Sequence, residues 1–202
     1  MLSIELLCDL PDYLPQSLRD QARAATVKKR KTLYRVNDPV TSIYYVRRGE
    51  LEAVRYSPEG ESLVMVRARA GEFFGEAALA VDSYVCDGHA RIDSELLVLP
   101  KPAMLSALRD DPSFATAFLL AQIKNARRQC SRYERVRLRR AEDRIVHYLI
   151  CETTPEGRSA LSGSLADWAA ELGLQPESLY RALARLRAEG RIEGEGSELR
   201  IR

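Results

Sequence analysis

The side chains of this 202-residue chain best suited to hold a metal or prosthetic group are two histidines, His89 and His147, and four cysteines, Cys8, Cys86, Cys130 and Cys151. The cysteines show no CxxC or CxxH spacing, which fits neither a zinc knuckle nor a local iron–sulfur cradle. Four reduced thiols, packed as small hydrophobes, are expected. A cupin-like metal-dependent enzyme needs clustered histidines and carboxylates, whereas His89 and His147 stand in different segments. That reading is remote; no metal site is expected, and the chain is read as a non-enzyme. Cys86 and His89 are close enough in sequence for either to ligate a haem iron. The simpler reading, a core thiol and a hydrogen-bonded imidazole, is preferred, so no cofactor is predicted.

A second pattern concerns association. Leu119, Ile123, Ala126, Cys130 and Tyr133 are spaced four, three, four and three, the seam of a coiled coil and not merely the broad face of a surface helix. A partner helix is expected, most simply that of a second copy, with Arg127, Arg128, Arg132 and Arg135 flanking the stripe. Packing of the stripe on the chain's own β domain is the alternative.

A third pattern lies near the carboxyl end. Ser164-Leu165-Ala166-Asp167 opens a helix with a hydroxyl cap and a carboxylate three residues on, close to a capping box. Gly173 breaks that helix, and Pro176, suited to a first helical position, starts a second through PESLYRALARLRAEG. Two short helices about such a turn make a helix-turn-helix. The closing RIEGEGSELRIR reads as two short strands about Gly194 to Gly196, a β wing.

The elements that must position these groups follow from texture. From Thr32 to about Pro100, short alternating apolar segments are punctuated by Gly49, Pro58 to Gly60 and Gly71, the pattern of short antiparallel strands, with Ser57-Pro58-Glu59-Gly60 as a hairpin turn. Beyond Pro102 the chain favours helix, with Asp111-Pro112 as a helix entry, and TTPEGRSALSG, residues 153–163, is a linker by composition. Three regions are expected: a region of short strands with an N-terminal helix over 1–112, a long self-associating helix and the helix after it over 113–150, and the helix-turn-helix with its wing over 151–202. With 46% hydrophobic and 30% charged residues the chain is of globular, not disordered, composition. Its longest apolar run, within FATAFLLA, is far short of the roughly 20 residues that cross a bilayer. The amino terminus, MLSIELLCDLPDYLP, has acids where a signal peptide needs a basic start, so a cytoplasmic location without membrane contact is expected. The net charge of +2 names no partner by itself.

Three segments in this order resemble the cyclic AMP receptor protein and FNR (CRP/FNR) family of bacterial transcription regulators over essentially the whole chain. They are the β-roll with GEFFGEAAL, the long helix ending in RRAEDRIVHYL, and SLADWAAELGLQPESLYRALARLRAEGRI. The resemblance implies an α+β chain: an N-terminal antiparallel β-roll of the cyclic-nucleotide-binding type, a long dimerisation helix and a C-terminal winged helix-turn-helix. It implies a homodimer that binds double-stranded DNA at a pseudo-palindromic operator, with RNA polymerase as a further partner.

The resemblance also assigns residues. Glu177 and Arg181, one turn apart, match the Glu and Arg that the family points at base edges, where a carboxylate accepts from cytosine and an Arg fork takes guanine O6 and N7. Ser178 matches a position that reaches phosphate, and Arg185, Arg187 and Arg191 are local cations for the same backbone. Pro176 stands where the cyclic AMP receptor protein has another base-reading Arg, and Tyr180 where small residues are usual, so the half-site is expected to differ. From Arg139 to the carboxyl end ten basic and eleven acidic residues nearly cancel, which leaves DNA affinity to local placement. In the effector pocket, Gly75 and Glu76 match the pair that takes a ribose hydroxyl. The phosphate-binding positions fall on Cys86 and Asp87, which supply no cation and add an anion; Arg132 and Tyr133 of the long helix are expected to approach the pocket. The small-molecule effector is therefore unknown and is not expected to be a cyclic nucleotide. A haem- or thiol-based redox or gas sensor of the same family is the alternative.

Overall fold

The computed structural model describes residues 11–60, 62–152, 164–195 and 199–202. The chain divides into two compact units, residues 1–122 and 123–202, so the first runs beyond the expected boundary at 112 into the long helix.

The first unit begins with a short helix α1 (Gln16–Arg19) followed by β1 (Arg23–Val27), β2 (Thr32–Tyr34), β3 (Ser42–Arg48), β4 (Glu50–Tyr56), β5 (Ser62–Arg69), β6 (Phe73–Phe74), a 3-10 turn (Glu76–Ala80), β7 (Asp87–Ala90) and β8 (Ser94–Pro100). The strands form two antiparallel sheets, ordered β1-β8-β3-β6 and β2-β7-β4-β5. Period-two alternation explains the core between them. Ile43, Tyr45, Leu97 and Leu99 are buried from one sheet, and Leu51, Ala53, Ala68 and Ala90 from the other. The expected hairpin joins β4 to β5, with the Gly60 amide donating to the Ser57 carbonyl at 2.9 Å.

After α2 (Lys101–Asp110), α3 (Pro112–Arg137) opens as expected at Asp111-Pro112, where the Asp111 carboxylate accepts from the Phe114 amide at 2.9 Å. Phe114 and Phe118 turn into the first core, with Phe118 packed edge-on to Phe73 at 5.0 Å between ring centres.

The second unit holds the rest of α3, then α4 (Ala141–Glu152), α5 (Leu165–Glu171), α6 (Pro176–Ala188), β9 (Ile192–Glu193) and β10 (Arg200–Ile201). Its core is one apolar stripe from each helix: Ile145, Tyr148 and Leu149 of α4, Trp168 and Ala169 of α5, and Leu179, Ala182, Leu183 and Leu186 of α6. The last four repeat at three, one and three residues, the helical spacing that places one face inward. The expected linker, 153–163, and Gly196 of the expected wing turn lie outside the described residues, as does Cys8.

Candidate functional site

The second unit presents one candidate surface. The Ser164 hydroxyl accepts from the Asp167 amide at 3.2 Å while the Asp167 carboxylate accepts from the Ser164 amide at 3.0 Å, so the capping box that starts α5 is complete. Gly173 ends the turn after α5 at φ +64°, where a β-carbon would come within 3.2 Å of the Arg144 guanidinium. Pro176 takes the first turn of α6 after an extended Gln175. β9 and β10 follow as an antiparallel pair, Ile192 opposite Ile201 and Glu193 opposite Arg200.

Burial of Leu179, Ala182, Leu183 and Leu186 turns the opposite face of α6 to solvent. Glu177, Tyr180 and Arg181 are all exposed there, and Pro176 and Ser178 are half-buried. Glu177 and Arg181 form no ion pair with each other or with any described residue, although their spacing allows one. Arg185 is placed differently from the expected phosphate contact. Its Nη1 donates to Oε1 of Glu142, a buried carboxylate of α4, at 3.1 Å. A backbone amide and Arg185 hold that carboxyl below the usual carboxylate range, and the pair ties α6 to α4. Arg187 donates to the Gly194 carbonyl at 3.5 Å, and Arg191 lies 3.7 Å from Glu189.

Arg144 is the positioning residue that the sequence did not disclose. From α4 it donates to the carbonyls of Val136 (3.1 Å), Leu138 (2.8 Å), Leu172 (3.1 Å) and Gly173 (2.8 Å). It thereby caps the carboxyl ends of both α3 and α5, groups that a helix leaves without internal partners. Arg135 also departs from expectation. It is buried instead of flanking the seam, with its guanidinium 4.6 Å from the Tyr148 ring centre and 3.2 Å from Glu152.

The seam itself is uncovered in the single chain. Leu119 and Ile123 are 58% and 48% exposed and Tyr133 is 63% exposed; Ala126 and Cys130 are exposed as well. The phenol of Tyr133 accepts from Arg137 at 3.0 Å.

The first unit contains a cavity of about 220 Å³ lined by Tyr34, Ala53, Arg55, Met65, Val66, Phe74, Gly75, Glu76, Ala77, Ala78, Tyr84, Val85 and Cys86. Tyr34 and Tyr84 stack at 3.7 Å between ring centres, and Gly88 leaves room for Tyr34, since a β-carbon there would lie 2.5 Å from its ring. Burial raises both phenols well above their ordinary value. Glu76, expected in the pocket with Gly75, lines it; burial pushes its carboxyl upward, only partly opposed by its own backbone amide. Burial also pushes up the Cys86 thiol, against the pull of Arg55.

Two pocket expectations are corrected. Asp87 does not line the cavity: alternation along β7 turns it outward, where it accepts from the Val36 amide at 2.7 Å and lies 3.9 Å from His89. Arg132 and Tyr133 belong to the second unit. The cavity also has a cation after all, Arg55 of β4, whose Nε donates to the Val85 carbonyl at 3.1 Å. Pairing of β4 with β7, Val54 opposite Asp87, brings it beside Cys86. Arg91 is bound to Glu50 at 2.7 Å. His89 lines another cleft, with Lys29, Arg30, Glu52, Tyr56 and Arg91, so it and Cys86 do not converge on one haem. Among the described residues no group of three or more His, Cys, Asp or Glu could hold a metal ion, and no helix is long and apolar enough to cross a membrane.

Comparison with known proteins agrees with this architecture. Residues 25–111 match the cyclic nucleotide-binding domain. The chain is 25% identical over 199 residues to the transcriptional regulatory protein btr of Bordetella pertussis, covering 94% of this chain and 80% of that one. Among solved structures, FixK2 from Bradyrhizobium japonicum superposes with a TM-score of 0.67 at 20% identity, over 90% of this chain and 92% of the other. A CRP-family transcriptional regulator from Thermus thermophilus does so with a TM-score of 0.59 at 20% identity, over 88% and 91%. The first unit thus matches the cyclic nucleotide-binding domain, and nearly the whole chain is similar to a transcriptional regulatory protein and shares its fold with a CRP-family regulator.

Proposed function

We propose that the chain is a homodimeric, sequence-specific DNA-binding regulator that reads a pseudo-palindromic operator with α6 and responds to an effector other than a cyclic nucleotide. The observation that carries the reading is that Glu177 and Arg181, one turn apart at the start of α6, are exposed and have no ion-pair partner among the described residues. In a helix-turn-helix those first turns enter the major groove. There an Arg fork takes guanine O6 and N7, and a carboxylate accepts from cytosine. Pro176, Ser178 and Tyr180 border the same face, and Arg187 and Arg191 supply charge toward phosphate. Arg185 serves first as the brace to Glu142.

The uncovered Leu119, Ile123, Ala126, Cys130 and Tyr133 stripe supports self-association in register. RNA polymerase is the further partner, and the cytoplasm is the place of action. The effector reading rests on the cavity. Its volume of about 220 Å³ is below the roughly 300 to 1,000 Å³ of clefts for drug-sized ligands. The cation that lines it, Arg55, is already bonded to Val85, and the buried Glu76 faces the same space. A cyclic phosphodiester entering it would be desolvated in this small space beside a carboxyl, with Arg55, whose Nε is spent on Val85, as the cation that lines it.

The test is DNA binding by wild type and Arg181→Ala, followed by fluorescence anisotropy on an enriched duplex and on random duplex. The variant is expected to lose about 1 to 3 kcal/mol on the enriched site and to bind random DNA as before. Equal losses on both would assign Arg181 to the phosphate backbone and remove the base-reading role.

A further inference from the structure

The cavity of the first unit holds an acid and a base on largely apolar and aromatic walls. Met65, Val66, Phe74 and Ala78 line it beside the stacked rings of Tyr34 and Tyr84, and the Tyr84 hydroxyl already donates to the Ser42 carbonyl at 2.6 Å. Glu76 and Arg55 interrupt these walls without neutralising each other. Glu76 has no ion pair with any described residue, and the groups that act on its carboxyl are its own backbone amide and Glu72; Arg55 acts instead on the Cys86 thiol. A ligand ion in a space of about 220 Å³ would lie near both, so attraction to one is offset by repulsion from the other, and the lost hydration of its charge is left unopposed. A neutral ligand escapes that cost. The volume admits one ring with a short substituent, since an apolar cavity of about 150 Å³ holds benzene and drug-sized ligands need roughly 300 Å³ or more. A carboxylate only accepts, so the group that a ligand offers to Glu76 is a hydroxyl or an N–H.

We propose that the cavity binds a neutral, single-ring organic molecule whose hydroxyl or N–H donates to Glu76. The ring packs on the aromatic wall, where the Tyr34 and Phe74 rings are 5.8 Å apart between centres. That wall is formed before a ligand enters, because Tyr34 is held by its stack on Tyr84 and by the space that Gly88 leaves, a β-carbon there lying 2.5 Å from the ring. The inference deepens the effector reading above and rests on it: a molecule of this class is the effector, in place of a cyclic nucleotide.

The test uses the full-length protein with carbon-13 in its methionine methyls, read by nuclear magnetic resonance. Of the three methionines, Met65 lines the cavity and reports binding, while Met104, buried on α2 and not in the lining, checks that the first unit is folded. Three probes share one ring and differ in charge: benzyl alcohol, benzoate, and benzylamine, a cation at neutral pH. Titration followed through Met65 is expected to show benzyl alcohol binding at least about ten-fold more tightly than either ion. In Glu76→Leu the affinity of benzyl alcohol relative to toluene should fall at least about ten-fold, because the hydroxyl loses a charged acceptor. Glu76→Gln, whose amide oxygen still accepts, should hold that ratio to within about three-fold. Either ion binding as tightly as benzyl alcohol, a Met65 signal that benzyl alcohol leaves unmoved, or an unchanged ratio in Glu76→Leu would overturn the proposal and leave the exclusion of cyclic nucleotides standing. Low-micromolar cyclic AMP moving the Met65 signal would overturn both.

Discussion

Arg144 donates from Nη1 to the Gly173 carbonyl at 2.8 Å, fastening the turn of the helix-turn-helix to the helix that precedes it. The same guanidinium reaches Val136 and Leu138 at the end of α3, so one side chain fixes where α3 stops and where the turn between α5 and α6 begins. Lysine cannot copy this, because its ammonium lacks the planar fork of donors. Arg144→Lys is expected to destabilise the second unit by about 2 to 4 kcal/mol, given carbonyl partners left without donors. Urea unfolding followed through Trp168, the chain's only tryptophan and part of this core, reads the change directly.

Glu76 gives the first unit a pH dependence of definite sign. Because burial raises its carboxyl above 4.5 in the folded chain, the folded state keeps the proton to higher pH than the unfolded state does. Stability from this group falls as the pH rises through 4.5 and the deficit persists at neutrality. Glu76→Gln should therefore unfold at a higher temperature than wild type at pH 7, with the gap narrowing toward pH 4.5 in scanning calorimetry. A gap that widens on acidification would contradict the assignment.

The seam predicts a charge-sensitive association. Ile123→Glu puts a carboxylate at the middle of the stripe, where two copies would bring like charges together in an apolar contact. Sedimentation should show wild type as a dimer and Ile123→Glu as a monomer, and the variant's affinity for a two-half-site duplex should drop by at least about ten-fold. A monomeric wild type would remove the seam reading.

Cyclic AMP should not bind in the low-micromolar range. Titration calorimetry is expected to show a dissociation constant in the millimolar range or weaker, about 4 kcal/mol or less of binding free energy. Low-micromolar binding with DNA affinity rising in step would overturn the effector reading.

The helix-turn-helix was legible because its signals are local: the Ser164–Asp167 box, Gly173 and Pro176 each act within a few residues. The exposed stripe on α3 was legible for the same reason, since its spacing is a property of one helix. What stayed hidden depends on chain segments meeting. Arg144 caps carbonyls 6 and 29 residues away, and nothing in its neighbourhood marks it. Arg55 reaches the cavity only because β4 pairs with β7. Cys86 and Asp87 are neighbours in sequence, yet Cys86, just before β7, lines the cavity while Asp87, the first residue of β7, accepts from the Val36 amide instead. Arg135 looked like a solvated charge by its neighbours, whereas Tyr148 and Glu152 of α4 enclose it.

The central claim is that two copies of α6 read DNA through Glu177 and Arg181, and selection of bound duplexes from random sequence tests it most directly. The account predicts an inverted repeat with half-sites about 34 Å, one helical turn, apart, each holding a G·C pair whose enrichment disappears in Arg181→Ala. Recovery of no enriched sequence, or of a single unrepeated half-site unaffected by Arg181→Ala, would contradict it.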